Sequence, residues 1–136
     1  YHKREITVFG GKQLRPNIHI DDMVDVYLLL LKSPKEKIAG KIFNAGYENF
    51  SVEKLGQDVK SVIGSDVKLI FSKTDDNRSY HISSEKIKSE LGFIPKRNVQ
   101  DAVKDLMNAF ENKTLKNTLE NEIYFNIKRM KNLDLK

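Results

Sequence analysis

Gly10-Gly-Lys-Gln-Leu-Arg-Pro-Asn-Ile-His-Ile-Asp-Asp22 sets a glycine turn, an Arg-Pro step and a pair of aspartates in front of the most apolar helix of the sequence. The glycine pair predicts a turn that closes a strand over Glu5 to Phe9, which is rich in β-branched residues. Pro16 forces Arg15 towards an extended backbone, and Ile18 to Ile20 is expected to continue as a short strand. Asp21 or Asp22 then caps a helix, its carboxylate accepting from the unpaired N–H groups of the first turn. That helix, Met23 to Leu31, is apolar nearly all round, which predicts burial on more than one side. Ser33-Pro34 ends it.

Downstream, Lys35 to Ala39 reads as a charged loop and Gly40-Lys-Ile-Phe-Asn-Ala-Gly46 as a strand running into a turn. Ser51 caps a helix carrying Val52, Leu55, Val59, Val62 and Ile63 at helical spacing. Gly64-Ser65 stops it, and Val67 to Phe71 forms the next strand. After a polar loop over Lys73 to Ser79, Ser83 or Ser84 opens a short helix that ends at Leu91-Gly92, with Pro95 beyond. Asn98 and Asp101 form a capping box for an amphipathic helix bearing Val99, Val103, Leu106, Met107 and Phe110. Leu115, Leu119, Ile123 and Ile127 recur every four residues and predict a final amphipathic helix over residues 115–130, docked on the body or on a partner. Alternating strands and helices make the fold class α/β.

The bulk numbers agree with a folded chain. With 136 residues it has room for one domain with a core; charged residues make up 32% and hydrophobic ones 39%. There is no cysteine, which excludes disulfide and thiolate chemistry and fits a reducing, cytoplasmic location. The run from Val26 to Leu31 is too short to cross a bilayer, and no membrane association is expected. The net charge of +5 sits at the two ends of the chain, with residues 51–112 balanced at ten basic and ten acidic side chains. A solvated surface rather than a nucleic-acid face is the expectation. The first residue is Tyr1, at the approach to a strand, so the chain is expected to be part of something longer.

Metal chemistry is not expected, because His2, His19 and His81 are scattered and lack ligand spacing. Gly10-Gly11 is too short for a dinucleotide fingerprint or a P-loop. Two loop arginines remain, Arg15 and Arg78, whose planar forks suit phosphate oxygens. The competing reading pairs each with a nearby acid such as Asp21 or Asp75. His19 reads equally as a packed, hydrogen-bonded imidazole, and Asp22 as a cap.

Arg15-Pro-Asn-Ile-His-Ile-Asp-Asp22 resembles the Arg-(Pro/Asp)-x-x-His-(Val/Ile)-x-Asp motif of extended short-chain dehydrogenase/reductases, the NAD-dependent sugar-nucleotide epimerases and dehydratases. Gly40 to Gly46 resembles that family's Gly-x-x-(Tyr/Phe)-Asn-(Val/Ile)-Gly strand. Arg78-Ser-Tyr80 through Lys86, then Leu91-Gly-Phe-Ile-Pro95, resemble its later Arg…Lys…Leu-Gly-(Trp/Phe)-x-Pro segment. The four pieces keep their order across residues 5–112.

The resemblance implies that residues 1–112 are the C-terminal, substrate-binding region of a Rossmann-type enzyme, mixed short strands and helices, with residues 113–136 as an appended amphipathic helix. It implies that Arg15 and Arg78 grip the diphosphate of a nucleotide-diphospho-sugar, that Asn17 and Tyr80 line the pocket, and that His19 and Asp22 support the site. Many members place the second arginine earlier, where this chain has Lys73. NAD or NADP would be bound mainly outside this chain, with its cofactor-binding residues here unknown, and the family's catalytic tyrosine and lysine would lie in an N-terminal Rossmann half, so no catalytic residue is assigned and the chain alone is expected to be inactive. Tyr124-Phe-Asn-Ile-Lys128 fits Tyr-x-x-x-Lys formally but lies in the appended tail and reads as a helix-surface pair. Family members often form homodimers through the other half. The alternative is a non-enzymatic nucleotide-sugar-binding or protein-interaction module.

Overall fold

The computed structural model describes residues 1–76 and 78–133. Two compact units divide the chain, Tyr1–Lys104 and Asp105–Lys136.

The first unit contains two small sheets. Strand β1 (Glu5–Phe9) pairs in parallel with β4 (Lys68–Ser72), Ile6 opposite Leu69 and Val8 opposite Phe71. Strand β2 (Leu14–Asn17) pairs antiparallel with β3 (Glu48–Ser51), placing Arg15 opposite Phe50 and Pro16 opposite Asn49. The strand expected at residues 18–20 therefore lies earlier and includes the Arg-Pro step itself. A two-stranded sheet has only edges, where the missing N–H of proline is tolerated.

Helix α3 (Val52–Ile63) crosses over between β3 and β4 and packs on β1 and β4. Its cap is the expected one: the Ser51 hydroxyl accepts from the Lys54 N–H at 3.1 Å. Gly56 lets the helix approach β1 closely, since a β-carbon there would meet Val8 Cγ2 at 2.9 Å. Val8 and Val67 are almost fully buried in this region.

Helix α1 (Ile20–Lys32) supplies Val26 to a second core with Ile87 and Phe93, surrounded by Ile18, Leu29, Leu30, Phe43, Ala45 and Leu91. Burial on more than one side, expected from its composition, is not observed. Val24, Tyr27, Leu28 and Leu31 are exposed, because only one face of the helix meets this cluster among the described residues. The cap also differs from expectation. His19 holds the N-cap position and its Nδ1 accepts from the Asp21 N–H at 3.2 Å, which leaves Asp22 free for another role.

After a single turn, α2 (Lys35–Ile38), residues 41–46 belong to no helix or strand. The expected Gly40–Gly46 strand lacks the neighbour that a ladder requires. Helix α4 (Glu85–Leu91) ends at Gly92, in the left-handed region at φ 72°, as the Leu-Gly step predicted. Helix α5 (Val99–Glu111) begins with the expected box, Asn98 N–H donating to Asp101 at 3.1 Å and Asp101 N–H to Asn98 Oδ1 at 2.9 Å.

In the second unit, the continuous helix expected over residues 115–130 is absent. A 3₁₀ turn (Glu122–Tyr124) and helix α6 (Asn126–Asn132) take its place. Asn117 adopts a positive φ of 54°, and the Asn121 side chain accepts from the Ile123 N–H, so local asparagine chemistry overrides the four-residue period. Tyr124 falls in the turn and Lys128 in α6, so Tyr-x-x-x-Lys does not share one continuous helix. Among the described residues no helix is long and apolar enough to cross a membrane.

Candidate functional site

Strand β2 sets Arg15 beside the loop that follows β4. The loop is laced to β2 by its backbone: Tyr80 N–H donates to the Leu14 carbonyl at 3.1 Å, and the Ser79 hydroxyl accepts from the Leu14 N–H at 2.9 Å. Asn49 on β3 anchors the far end, donating to the Ile82 carbonyl and accepting from the Ile82 N–H, each at 2.9 Å. An amide that satisfies both backbone groups of one residue fixes the strand-like run of residues 79–82 in register with the sheet.

Within this frame Arg15 is well constrained. Its Nη1 donates to the carbonyls of Leu14 at 2.9 Å and Arg78 at 2.6 Å, and its guanidinium carbon lies 5.3 Å from the centre of the Tyr80 ring. A cation over an aromatic face is attracted by the ring quadrupole. The third contact is Asp76, whose Oδ2 lies 3.7 Å from Arg15 Nη2. The same carboxylate receives a two-pronged bond from Arg78, Nε at 2.7 Å and Nη2 at 2.8 Å. Chiefly through those side-chain bonds, Arg78 holds the Asp76 carboxyl down at about 2, while its own pKa is raised by the same partner.

Three of the four residues expected to contact substrate thus converge: Arg15, Arg78 and Tyr80 surround one patch of surface. The expected competition from acids is real as well, but the acid is Asp76 rather than Asp21 or Asp75. Asn17 is committed elsewhere, its Nδ2 donating to the carbonyls of Arg15 at 2.7 Å and Glu48 at 3.4 Å. It also borders a cavity of about 130 Å³ lined by His19, Tyr47, Arg97 and Ala102 among others.

Asp22 does what the sequence did not disclose. Its carboxylate is fully buried and accepts from the N–H groups of Lys96 at 3.0 Å and Arg97 at 2.9 Å, and from Arg97 Nη1 at 2.7 Å. The pKa of Arg97 is raised, first by the hydrogen bond to Asp22, with burial opposing and Asp21 adding to the effect. Asp22 therefore ties the start of α1 to the segment entering α5. His19, buried beside it, caps the helix through Nδ1, which accepts from the Asp21 N–H. Arg97 and Asp76 carried no motif; only contacts spanning 75 and 61 residues of chain reveal them.

Comparison with known proteins bears on the family and the fold. The model of the NAD dependent epimerase/dehydratase family matches residues 1–46. UDP-sulfoquinovose synthase of Sulfolobus acidocaldarius is 28% identical over 73% of this chain and 27% of its own length. Among solved structures, L-threonine dehydrogenase from Phytophthora infestans superposes with a TM-score of 0.69 at 11% identity, covering 81% of this chain and 38% of that one. UDP-glucose 4-epimerase from Thermotoga maritima, solved with UDP-glucose, gives 0.67 at 24% identity, covering 81% and 36%. The chain spans about a quarter of the length of the curated relative. Residues 1–46 are thus similar in sequence to the NAD dependent epimerase/dehydratase family, and over 81% of its length the chain has a mixed α/β fold similar to that of these solved dehydrogenase and epimerase structures.

Proposed function

We propose that this chain is the nucleotide-sugar-binding portion of a cytoplasmic NAD(P)-dependent epimerase or dehydratase, and that Arg15 and Arg78 grip the substrate diphosphate. The observation that carries the reading is the convergence of two guanidinium groups and the Tyr80 ring on one open patch, with Arg15 held from behind by two carbonyls. Guanidinium forks match phosphate oxygens in shape and charge. Tyr80, 48% exposed, is available to border the sugar or the base.

The Gly10-Gly11 turn is not built like a dinucleotide-binding turn. Gly10-Gly11 leads into β2 rather than opening a helix, so no helix N-terminus faces a dinucleotide pyrophosphate there. NAD or NADP, and the groups that move the proton, belong on this reading to a separate Rossmann half, and the chain alone is inactive. When bound there, the cofactor would supply hydride chemistry; this chain's contribution is binding and orientation.

Residue-resolved NMR with UDP tests the proposal. Shifts centred on Arg15, Arg78 and Tyr80 are expected, together with no turnover when NAD and UDP-glucose are added to the chain. Shifts centred elsewhere refute the site, and turnover refutes the division of labour. The alternative, a protein-interaction module, draws support from exposed Ile123, Phe125, Ile127 and Met130 in the second unit.

A further inference from the structure

We propose that Asp76 is a built-in competitor for the diphosphate: its carboxylate sits in the seat between Arg15 and Arg78, and a nucleotide diphosphate binds by displacing it. The proposal rests on the reading of Arg15 and Arg78 as diphosphate ligands.

Three observations on the loop carry it. First, Asp76 occupies the space a phosphate would need. It takes both prongs of Arg78 and faces the Nη2 of Arg15, whose Nη1 is already committed to backbone carbonyls. The remaining gap of 3.7 Å to Arg15 is longer than a hydrogen bond, so the carboxylate satisfies one arginine and only neighbours the other. A diphosphate is larger, carries more charge and has enough oxygens to reach both. Second, the exchange is cheap on the acid's side. The Asp76 side chain is 39% exposed and that of Arg78 71% exposed, so the freed carboxylate turns into water and Arg78 is free to swing. Third, Asp76 has a local hold on its own loop. Its Oδ1 accepts from the Arg78 N–H at 3.2 Å, and its N–H donates to the Thr74 hydroxyl at 3.1 Å. Departure of the carboxylate would break its bond to the Arg78 N–H, so substrate entry and release of Asp76 from Arg78 become one event.

The alternative role for Asp76 is a brace that holds both arginines ready for the ligand. The two roles have opposite signs. Asp76→Asn removes the charge and keeps an oxygen able to accept from the Arg78 N–H, so that bond survives while the competing ion pair is lost. UDP titrated calorimetrically into the 136-residue chain and its D76N variant is expected to bind about two- to fivefold tighter to D76N, the range set by a screened, solvent-facing ion pair. UDP should also release Asp76, which carboxyl-carbon NMR would register as a pKa climbing from about 2 towards the ordinary carboxylate value. Equal or weaker binding to D76N, with R15Q still weakening UDP, overturns the competitor role and leaves the diphosphate site standing. Failure of UDP to bind both the parent chain and D76N overturns both. An Asp76 carboxyl that remains at about 2 when UDP is saturating identifies a brace and overturns displacement.

Discussion

Replacing Asp22 by asparagine tests the clamp between the start of α1 and the segment entering α5. The native carboxylate is fully buried and receives three bonds, two from backbone N–H groups of Lys96 and Arg97 and one from the Arg97 guanidinium. Asparagine has one acceptor oxygen in place of two and puts an NH₂ against donors. Removing one partner of a buried ion pair costs about 3–5 kcal/mol. Here the Arg97 side chain is 35% exposed and retains Asp25 at 3.5 Å and Asp21 at 3.6 Å. The cost falls to or below the lower end of that range, about 2–3 kcal/mol once partial solvation of the remaining charge is allowed for. For a unit of this size that corresponds to a melting temperature lower by roughly 10–20 °C. Thermal and urea unfolding followed by circular dichroism would measure it. Arg97→Gln should cost less, because the two backbone donors to Asp22 survive. A D22N variant within about 3 °C of the parent, or an R97Q variant that suffers more than D22N, would refute the assignment of Asp22 as the hub.

Further outcomes follow from other contacts. Gly56→Ala should destabilise by about 1–3 kcal/mol through overpacking against Val8, despite the helix propensity gained. A rise in the unfolding midpoint would mean that α3 and β1 are not in close contact. Ser51→Ala should cost about 1 kcal/mol by stranding the Lys54 N–H; urea midpoints that agree within error would remove the cap from the account of α3. The pH dependence follows from Asp76, whose folded-state pKa is depressed from 3.8 to about 2. The stabilisation it confers is fully present above the unfolded value and is lost as pH falls from about 4 through 2. Unfolding midpoints between pH 5 and 2 should therefore decline less steeply in D76N than in the parent; parallel profiles would dissociate Asp76 from Arg78.

Local signals in the sequence reached as far as local physics does. The Ser51 cap, the left-handed Gly92 and the Asn98–Asp101 box each involve residues within four positions of one another, and all three form as expected. Convergence of Arg15, Arg78 and Tyr80 was legible only through resemblance, because no periodicity connects β2 to a loop 63 residues later. Asp22 was misread as a cap because an aspartate before an apolar run is usually one, and nothing local indicated that His19 takes that position and Arg97 claims the acid. The exposed side of α1 and the unpaired run at 41–46 share one cause. Apolar composition and β-branching express a preference for burial or pairing but do not supply the partner. In the second unit, a four-residue period failed against Asn117 and Asn121, whose side-chain and left-handed preferences break the helix locally.

The most direct test of the diphosphate grip is calorimetric titration of UDP, with uridine as the control, into the parent chain and R15Q. If Arg15 holds the diphosphate, UDP binds the parent, uridine binds far more weakly, and R15Q loses about tenfold or more in UDP affinity, the scale of a charge-assisted hydrogen bond. Equal affinity of UDP for the parent and R15Q, or equal affinity of the parent for UDP and uridine, would contradict it.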